Sequence, residues 1–360
     1  MTCSELMYLK AKLLCYGVKA DSTTKLYMKE INPYVLDSGF MHAAHFIVED
    51  TIINTCISET FCSKSPFTIK AKKNCLELFE NDQFVTKIDV LPLPNWCNEY
   101  IDGYRIGDYI RPHSFNCVAC WPYLLCNYQS QGKDCKFCSM GNYHIQTIIP
   151  EDVVGKMIRT AINHNKEYEI ALSGGTCHEP DHSINYFSQV CESAIKYGAQ
   201  YISVETAPPK DLKYIKQLKN SGATAIIMNL EVADEDLRKA LCPGKASISQ
   251  QHYMHAYEEA VKLFGAGNVS CVLIAGIQTP DDIILKSEEL IKMGVIPTII
   301  PFKPLDGCSM KEHQTTNVEE LILTSVEVEK ILNKYSLFAE QQRGCTKCNG
   351  CSLEIIASKI

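Results

Sequence analysis

The sequence predicts an α/β fold: a full or partial (β/α) barrel over residues 112–336, preceded by an α+β extension over 1–111 and followed by a cysteine-rich tail over 337–360. Three observations carry this. Strand-like and helix-like stretches alternate from about residue 115 to 335, the signature of βαβ units and a parallel sheet. Glycine and polar residues recur just after each strand, where barrels of this kind gather their chemistry. Cysteines concentrate in two short groups that flank the alternating region, at 117–138 and 345–351.

The extension carries short alternating runs at 26–31, 45–53 and 84–90, separated by Asn, Asp and Pro turns. It reads as a small β-rich unit packed against or capping the barrel, serving as a lid or a partner surface. Residues 92–96, Pro-Leu-Pro-Asn-Trp, are the approach to the core. The apolar, aromatic run 115–125 is the first barrel strand, and 151–163 is a helix with Val153, Val154, Met157, Ile158 and Ile162 on one stripe. A strand over 168–172 ends in Ser173-Gly174-Gly175-Thr176, and a helix over 184–197 stops at Gly198. The strand over 201–204 is closed by Glu205 and followed by a helix at 211–220. The strand over 224–228 runs into Asn229-Leu230-Glu231, and a long helix at 249–264 ends at Gly265. The strand over 269–274 leads to Gly276 and Gln278, then a helix over 281–293. A last strand, 296–301, leads to Lys303 and a final helix over 318–335. Six strands in right-handed βαβ succession close into a full or partial barrel.

Composition narrows the chemistry. With 360 residues and 46% hydrophobic content, the chain can bury a barrel-sized core. Neither a secretory leader nor a membrane-spanning run is visible, so its 19 cysteines read as thiols and metal ligands in a reducing, cytoplasmic setting. A formal charge of −7 argues against nonspecific nucleic-acid binding. Scattered cysteines such as Cys15, Cys56, Cys191, Cys242 and Cys271 read as small buried hydrophobes.

The first cysteine group is Cys126, Cys135 and Cys138, with Phe137 beside the last. Three thiolates on a loop leaving a strand hold three irons of a [4Fe–4S] cube and leave the fourth iron open. A tetrahedral zinc site completed by Cys117, Cys120 or His144 is the competing assignment on these residues alone. The tail offers two successive C-x-x-C steps, Cys345, Cys348 and Cys351, to which Cys308 could fold back. A second Fe–S cluster and a structural zinc both fit that set.

Taken together, a cysteine loop after strand one, Ser-Gly-Gly after strand two, a polar pair after strand four and glycine after strand five resemble the radical S-adenosylmethionine superfamily, over roughly 115–331. The segments 228–231, 273–277 and 301–307 resemble the biotin synthase-like branch of it. A looser similarity is to radical SAM proteins found beside nitrilase genes, which also have a wide first cysteine gap. The spacing here, C-x8-C-x2-C, departs from the usual C-x3-C-x2-C of the superfamily, and Cys120 competes with Cys126 as first ligand. The resemblance implies a [4Fe–4S] cluster whose open iron is chelated by S-adenosylmethionine (SAM), cleaved by one electron to a 5′-deoxyadenosyl radical. It implies that Gly174 and Gly175 admit the methionine amine, that Glu231 and Asn229 take the ribose hydroxyls, and that Phe137 and Gly276 flank the adenine. Glu205 is assigned to the methionine end of SAM or to the substrate. On residues alone, Glu231 is equally a cap for the next helix and Glu205 a partner for Lys210.

Two functions of different class follow. One is a radical SAM enzyme acting on a small-molecule or carrier-bound substrate, with sulfur insertion among its outcomes and a ferredoxin or flavodoxin as electron donor. The other is a noncatalytic Fe–S or zinc protein, a metallocofactor scaffold or electron carrier. The polar loop Cys177-His178-Glu179 with Asp181 and His182, the pair Tyr143 and His144, and Lys303 are either substrate contacts or solvated surface.

Overall fold

A computed structural model of the chain describes residues 1–36, 43–73, 75–140, 147–176, 180–338 and 348–359. The extension opens with two helices, α1 (Cys3–Tyr16) and α2 (Ser22–Ile31). Thr2 and Glu5 cap α1 reciprocally, and Asp21 caps α2 by accepting from the Thr24 N–H at 2.7 Å. The run 26–31, expected as extended, therefore belongs to a helix, whose buried side chains Thr24 and Met28 lie four residues apart. The rest of the extension is a six-stranded sheet. It comprises β1 (Lys19–Ala20), β2 (Ala43–Val48), β3 (Thr51–Cys56), β4 (Phe67–Lys72), β5 (Cys75–Glu80) and β6 (Gln83–Val90), in the order β1-β4-β5-β6-β2-β3. A two-stranded hairpin, β7 (Tyr100–Ile101) with β8 (Tyr104–Arg105), and a short helix α3 (Ile106–Tyr109) lead into the second sheet.

That second sheet has seven strands. Six run parallel in sequence order: β10 (Cys117–Cys120), β11 (Glu169–Leu172), β12 (Tyr201–Glu205), β13 (Ala225–Ile227), β14 (Val269–Ala275) and β15 (Val295–Pro301). A seventh, β9 (Ile110–Pro112), pairs antiparallel with β10. The sheet ends at β9 on one side and β15 on the other, so the barrel is partial. A short helix α4 (Asn127–Ser130) follows β10, and larger helices separate the strands: α5 (Glu151–His164), α6 (Ile184–Lys196), α7 (Lys213–Asn220), α8 (Glu235–Leu241) with α9 (Gln250–Phe264), α10 (Pro280–Lys292) and α11 (Val318–Lys334). In α5 the buried residues Val153, Val154, Met157, Ile158, Ala161 and Ile162 form the stripe that the spacing predicts. Each large side chain buried there contributes about 1.5–3 kcal/mol. The first parallel strand is only Cys117–Cys120, much shorter than 115–125, because Trp121 onward leaves the ladder to form the cysteine loop. No described helix is long and apolar enough to cross a membrane.

The open seam between β9 and β15 is filled from both ends of the chain. Glu354 of the tail accepts the Ile299 N–H of β15 at 2.8 Å, satisfying an edge that would otherwise be bare. Gly350 accepts the Asn54 N–H of β3 at 2.8 Å, Lys303 donates to the Asn54 carbonyl at 3.2 Å, and the buried Lys10 of α1 donates to the Asn349 carbonyl. His45 of β2 lies 4.5 Å from the His113 ring, which meets Trp121 at 4.9 Å. Burial, reinforced by Arg111 and Lys303, pushes the His45 imidazole down to about 3, and burial lowers His113 as well. Both rings stay neutral in the fold, while the unfolded chain binds protons below about pH 6.5, so acid weakens the fold. Each such histidine is expected to remove about 2 kcal/mol between pH 6.5 and 5. Urea unfolding of wild type and His45→Asn at the two pH values measures this: the variant should lose about 2 kcal/mol less than wild type. Equal losses would contradict the assignment.

Candidate functional site

The cysteine loop leaves the carboxyl end of β10. Cys126, Cys135 and Cys138 are half-buried, with Cys126 at the start of α4. Cys138 N–H bonds the Cys135 carbonyl at 3.0 Å, and the Met140 N–H donates to Cys138 Sγ at 3.4 Å. Burial pushes the Cys138 thiol up to about 12, with the neighbouring sulfurs of Cys135 and Cys126 adding to it. Cys120, the competing first ligand, sits elsewhere. Its side chain is buried on the helix-facing side of β10, where desolvation and then Cys191 of α6 raise its thiol. The donor set beside Cys138 is thus Cys126 and Cys135. Three soft sulfurs on one loop match what a thiolate-held iron site requires, although among the described residues no three His, Cys, Asp or Glu groups already converge on a metal position.

The Ser173–Thr176 turn is laced to this loop. Asn127 N–H donates to the Thr176 carbonyl at 2.6 Å. A Cβ on Gly175 would stand 1.8 Å from the Leu125 carbonyl oxygen, and one on Gly174 would stand 2.6 Å from the Tyr123 ring. Both positions therefore need glycine for the approach of one strand end to the next.

Across the next strand ends runs a chain of hydrogen bonds. Ser173 Oγ donates to Glu205 Oε2 at 2.8 Å, and Asn229 Nδ2 donates to Glu205 Oε1 at 2.6 Å. Asn229 Oδ1 in turn accepts the Val272 N–H at 3.0 Å. Three strand ends, β11 to β13, are tied together through one carboxylate, and the Asn229 amide joins them to β14. Desolvation raises the Glu205 carboxyl above the ordinary range, and the bonds from Ser173 and Asn229 oppose it. Asn229 is largely spent on this bridge, so its first role is to position Glu205.

Glu231 adopts a left-handed backbone, φ 68°, stitched to β14 by bonds from its N–H to Val272 O and from Ile274 N–H to its carbonyl, both 3.0 Å. A glutamate there costs about 1–3 kcal/mol and is kept only where the surroundings demand it. It does not cap a helix: Asp234 caps α8 by accepting the Leu237 N–H at 2.7 Å. Instead Glu231 Oε1 faces Lys245 Nζ at 2.5 Å. Against the burial that opposes its charge, Glu231 and then Cys135 hold the Lys245 ammonium above the ordinary lysine range. Gln278 accepts the Ala233 N–H at 2.7 Å and donates to the Glu231 carbonyl at 2.9 Å. Gly276, φ 88°, lies beneath Thr316, whose Oγ1 would be 2.3 Å from an added Cβ. Phe137 packs on the apolar group of Ile274, Phe302, Leu305, Cys308 and Met310, at the same end of β14.

Sequence reasoning missed Lys245 and Cys242. Both belong to the turn after α8, where only the Pro243-Gly244 pair advertises a bend, and Cys242 lies against Cys135 within hydrogen-bonding reach. In the tail, the sulfur beside Cys348 is Cys117. Cys308 instead packs in the apolar group of Cys56, Cys62 and Phe302. Cys351 Sγ accepts from Asn54 Nδ2 at 3.4 Å. Cys345, Tyr143, His144, Cys177, His178 and Glu179 lie outside the described residues. Asp181 and His182 are buried, not solvated loop residues. An open cleft of about 350 Å³ lined by Ile101, Lys156, Arg159, Thr160, Asn163 and Tyr197 lies on the outer helical face, remote from these strand ends.

Residues 125–290 match the model of the Radical SAM superfamily. Over 138 residues the chain is 32% identical to bacteriochlorophyllide c C-7(1)-hydroxylase of Chlorobaculum limnaeum, covering 38% of this chain and 34% of that protein. It is 25% identical over 202 residues to 5-amino-6-(D-ribitylamino)uracil--L-tyrosine 4-hydroxyphenyl transferase of Methanococcus aeolicus, covering 50% of each. The chain thus spans between a third and a half of the length of these curated relatives. Among solved structures it is similar to the FeFe-hydrogenase maturase HydG of Carboxydothermus hydrogenoformans, with TM-score 0.47, 16% identity and coverage of 61% of this chain and 52% of that one. A radical SAM methyltransferase of Sphaerobacter thermophilus gives TM-score 0.43 at 15% identity, covering 80% and 81%.

Proposed function

Because residues 125–290 carry a radical SAM domain, we propose that the chain is an enzyme that holds a [4Fe–4S] cluster on Cys126, Cys135 and Cys138 and cleaves S-adenosylmethionine reductively. When bound, the cluster supplies the electron that releases a 5′-deoxyadenosyl radical, which takes a hydrogen atom from the substrate. The observation that supports this most directly is the row of hydrogen bonds that runs from the cysteine loop through the Ser173–Thr176 turn, Glu205 and Asn229 to Val272 of β14, which also accepts the Glu231 N–H. An electron carrier has no use for such a row.

The chain's own residues bind and orient. Gly174 and Gly175 let the second strand end lie against the cysteine loop and leave backbone free for the amino acid end of SAM. Glu205, fixed by Ser173 and Asn229 at the end of β12, serves the methionine end or the substrate. Glu231, paired with Lys245, offers a carboxylate for the ribose hydroxyls. Phe137 and the Gly276 backbone flank the adenine. Glu231→Gln keeps the shape but loses the charge-assisted bonds, which are worth about 1.5–3 kcal/mol. SAM binding to the reconstituted protein should weaken by roughly 10- to 100-fold, measured by equilibrium dialysis. Unchanged affinity would remove Glu231 from the ribose site.

The substrate is a small molecule or a carrier-bound group. The names of both curated relatives point to small molecules, a bacteriochlorophyllide and a ribitylaminouracil with tyrosine. A small reduced protein such as a ferredoxin or flavodoxin supplies the electron.

The tail supports a second metal group. Cys348 Sγ donates to the His113 carbonyl at 3.6 Å, and its neighbours, Cys117 first, hold its thiol below the usual range against the burial that opposes them. The buried Lys10 and Lys303 ammonium groups stand near Cys348 and Cys351, and buried cations call for buried anions. A metal-bound thiolate meets that need, as a second Fe–S cluster or a zinc ion. A second cluster would suit the chain to sulfur insertion. Metal analysis of the Cys126→Ala/Cys135→Ala/Cys138→Ala triple variant should find metal that disappears when Cys348→Ser is added. A metal-free triple variant would leave the tail as packing. The enzyme itself is tested by formation of 5′-deoxyadenosine under reducing, anaerobic conditions.

A further inference from the structure

Cys242 reads in the sequence as one more buried thiol, yet the fold delivers it to the cysteine loop. The turn after α8 and the loop segment 133–136 run side by side, joined by Lys136 N–H to the Leu241 carbonyl at 2.8 Å and Gly244 N–H to the Lys133 carbonyl at 3.0 Å. Those two bonds set Cys135 and Cys242 directly opposite each other, with their sulfurs as neighbours. The turn is anchored from beneath. Arg238, 1% exposed, donates to the carbonyls of Leu230, Ile248 and Lys245 at 3.3, 3.0 and 2.8 Å. Gly244 passes so close to Tyr128 that a Cβ would stand 2.3 Å from its ring. Both strands of the contact are therefore held, and Cys242 is fully buried.

We infer that Cys242 is a positioning residue whose S–H donates to the sulfur of Cys135 and thereby raises the reduction potential of the cluster that Cys135 holds. The inference rests on the cluster assignment above. A metal-bound cysteine is deprotonated and only accepts, so the free Cys242 thiol must be the donor. A hydrogen bond to a ligand sulfur stabilises the more negative, reduced cluster, and such bonds are among the levers that set its potential. The consequence is easier acceptance of an electron.

The experiment is a potentiometric titration of the reconstituted cluster without SAM, followed by electron paramagnetic resonance, in wild type, Cys242→Ser and Cys242→Ala, with iron counted in each. All three should keep the same cluster. At the wild-type midpoint the alanine variant should show about a tenfold lower ratio of reduced to oxidised cluster, about 59 mV for one electron. The serine variant, whose hydroxyl still donates, should recover most of that difference. An alanine variant that titrates with wild type overturns the inference. So does a serine variant as low as alanine, which would mean packing alone, and so does loss of iron in the alanine variant, which would make Cys242 a ligand. Failure of the wild type to assemble any reducible cluster instead overturns the cluster assignment, and the inference with it.

Discussion

Gly175→Ala is expected to cost about 3 kcal/mol of stability or more and to empty the cysteine loop of iron. The added methyl would lie 1.8 Å from the Leu125 carbonyl oxygen, 2.5 Å from its carbon and 2.9 Å from Cys126 Cβ. Those atoms are backbone and the root of a cluster ligand, so no side-chain rotation relieves the overlap. Overpacking of a well-filled interior typically costs 1–3 kcal/mol, and a backbone collision stands at the upper end. The turn cannot simply retreat, because the Asn127 N–H is bonded to the Thr176 carbonyl at 2.6 Å. Thermal unfolding should drop by roughly 6–12 °C, at 2–4 °C per kcal/mol for a domain of this size. Gly174→Ala is the control. Its methyl meets the edge of a side chain, the Tyr123 ring, at 2.6 Å and no backbone atom so closely, so its cost should be smaller. If Gly175→Ala keeps both its iron and its melting temperature, the close approach of the two strand ends is not what holds the loop.

Replacing single cysteines separates ligand from core. Cys135→Ala and Cys138→Ala should each lower 5′-deoxyadenosine formation at least about a thousandfold, the scale of loss when a group that acts as part of a unit is removed. Cys126→Ala should do the same, since Cys126 adjoins Cys138. Cys120→Ala should keep iron and activity and cost only about 1 kcal/mol of packing, because its sulfur lies in the core against Cys191. Retained activity in Cys126→Ala with loss in Cys120→Ala would reverse the assignment of the first ligand.

Local pattern made most of the barrel legible. The helices at 151–163, 184–197, 249–264 and 318–335 lie within a residue or so of α5, α6, α9 and α11, because their apolar stripes are long and strongly periodic. The strand ends were legible too, since each carries a glycine or carboxylate that a strand interior disfavours. The helices of the extension were missed although Thr2-Cys3-Ser4-Glu5 spells a capping box, and 26–31 was mistaken for an extended run. α8 is only seven residues long, too short for periodicity to register. β9, three residues ending in proline, gives no alternation at all. What escaped in the site shares one cause. Cys242 meets Cys135, Lys245 meets Glu231 and Cys117 meets Cys348 only because the chain folds back over long separations. Spacing reports neighbours along the chain and is silent about those.

Cleavage of S-adenosylmethionine by this arrangement is open to a single assay. The protein is reconstituted anaerobically with iron and sulfide, reduced in the presence of S-adenosylmethionine, and assayed by chromatography for 5′-deoxyadenosine. Wild type should form the nucleoside, and Cys138→Ala none above background. A fully loaded cluster that yields no nucleoside, or zinc bound in its place, would contradict it and leave a noncatalytic metal protein.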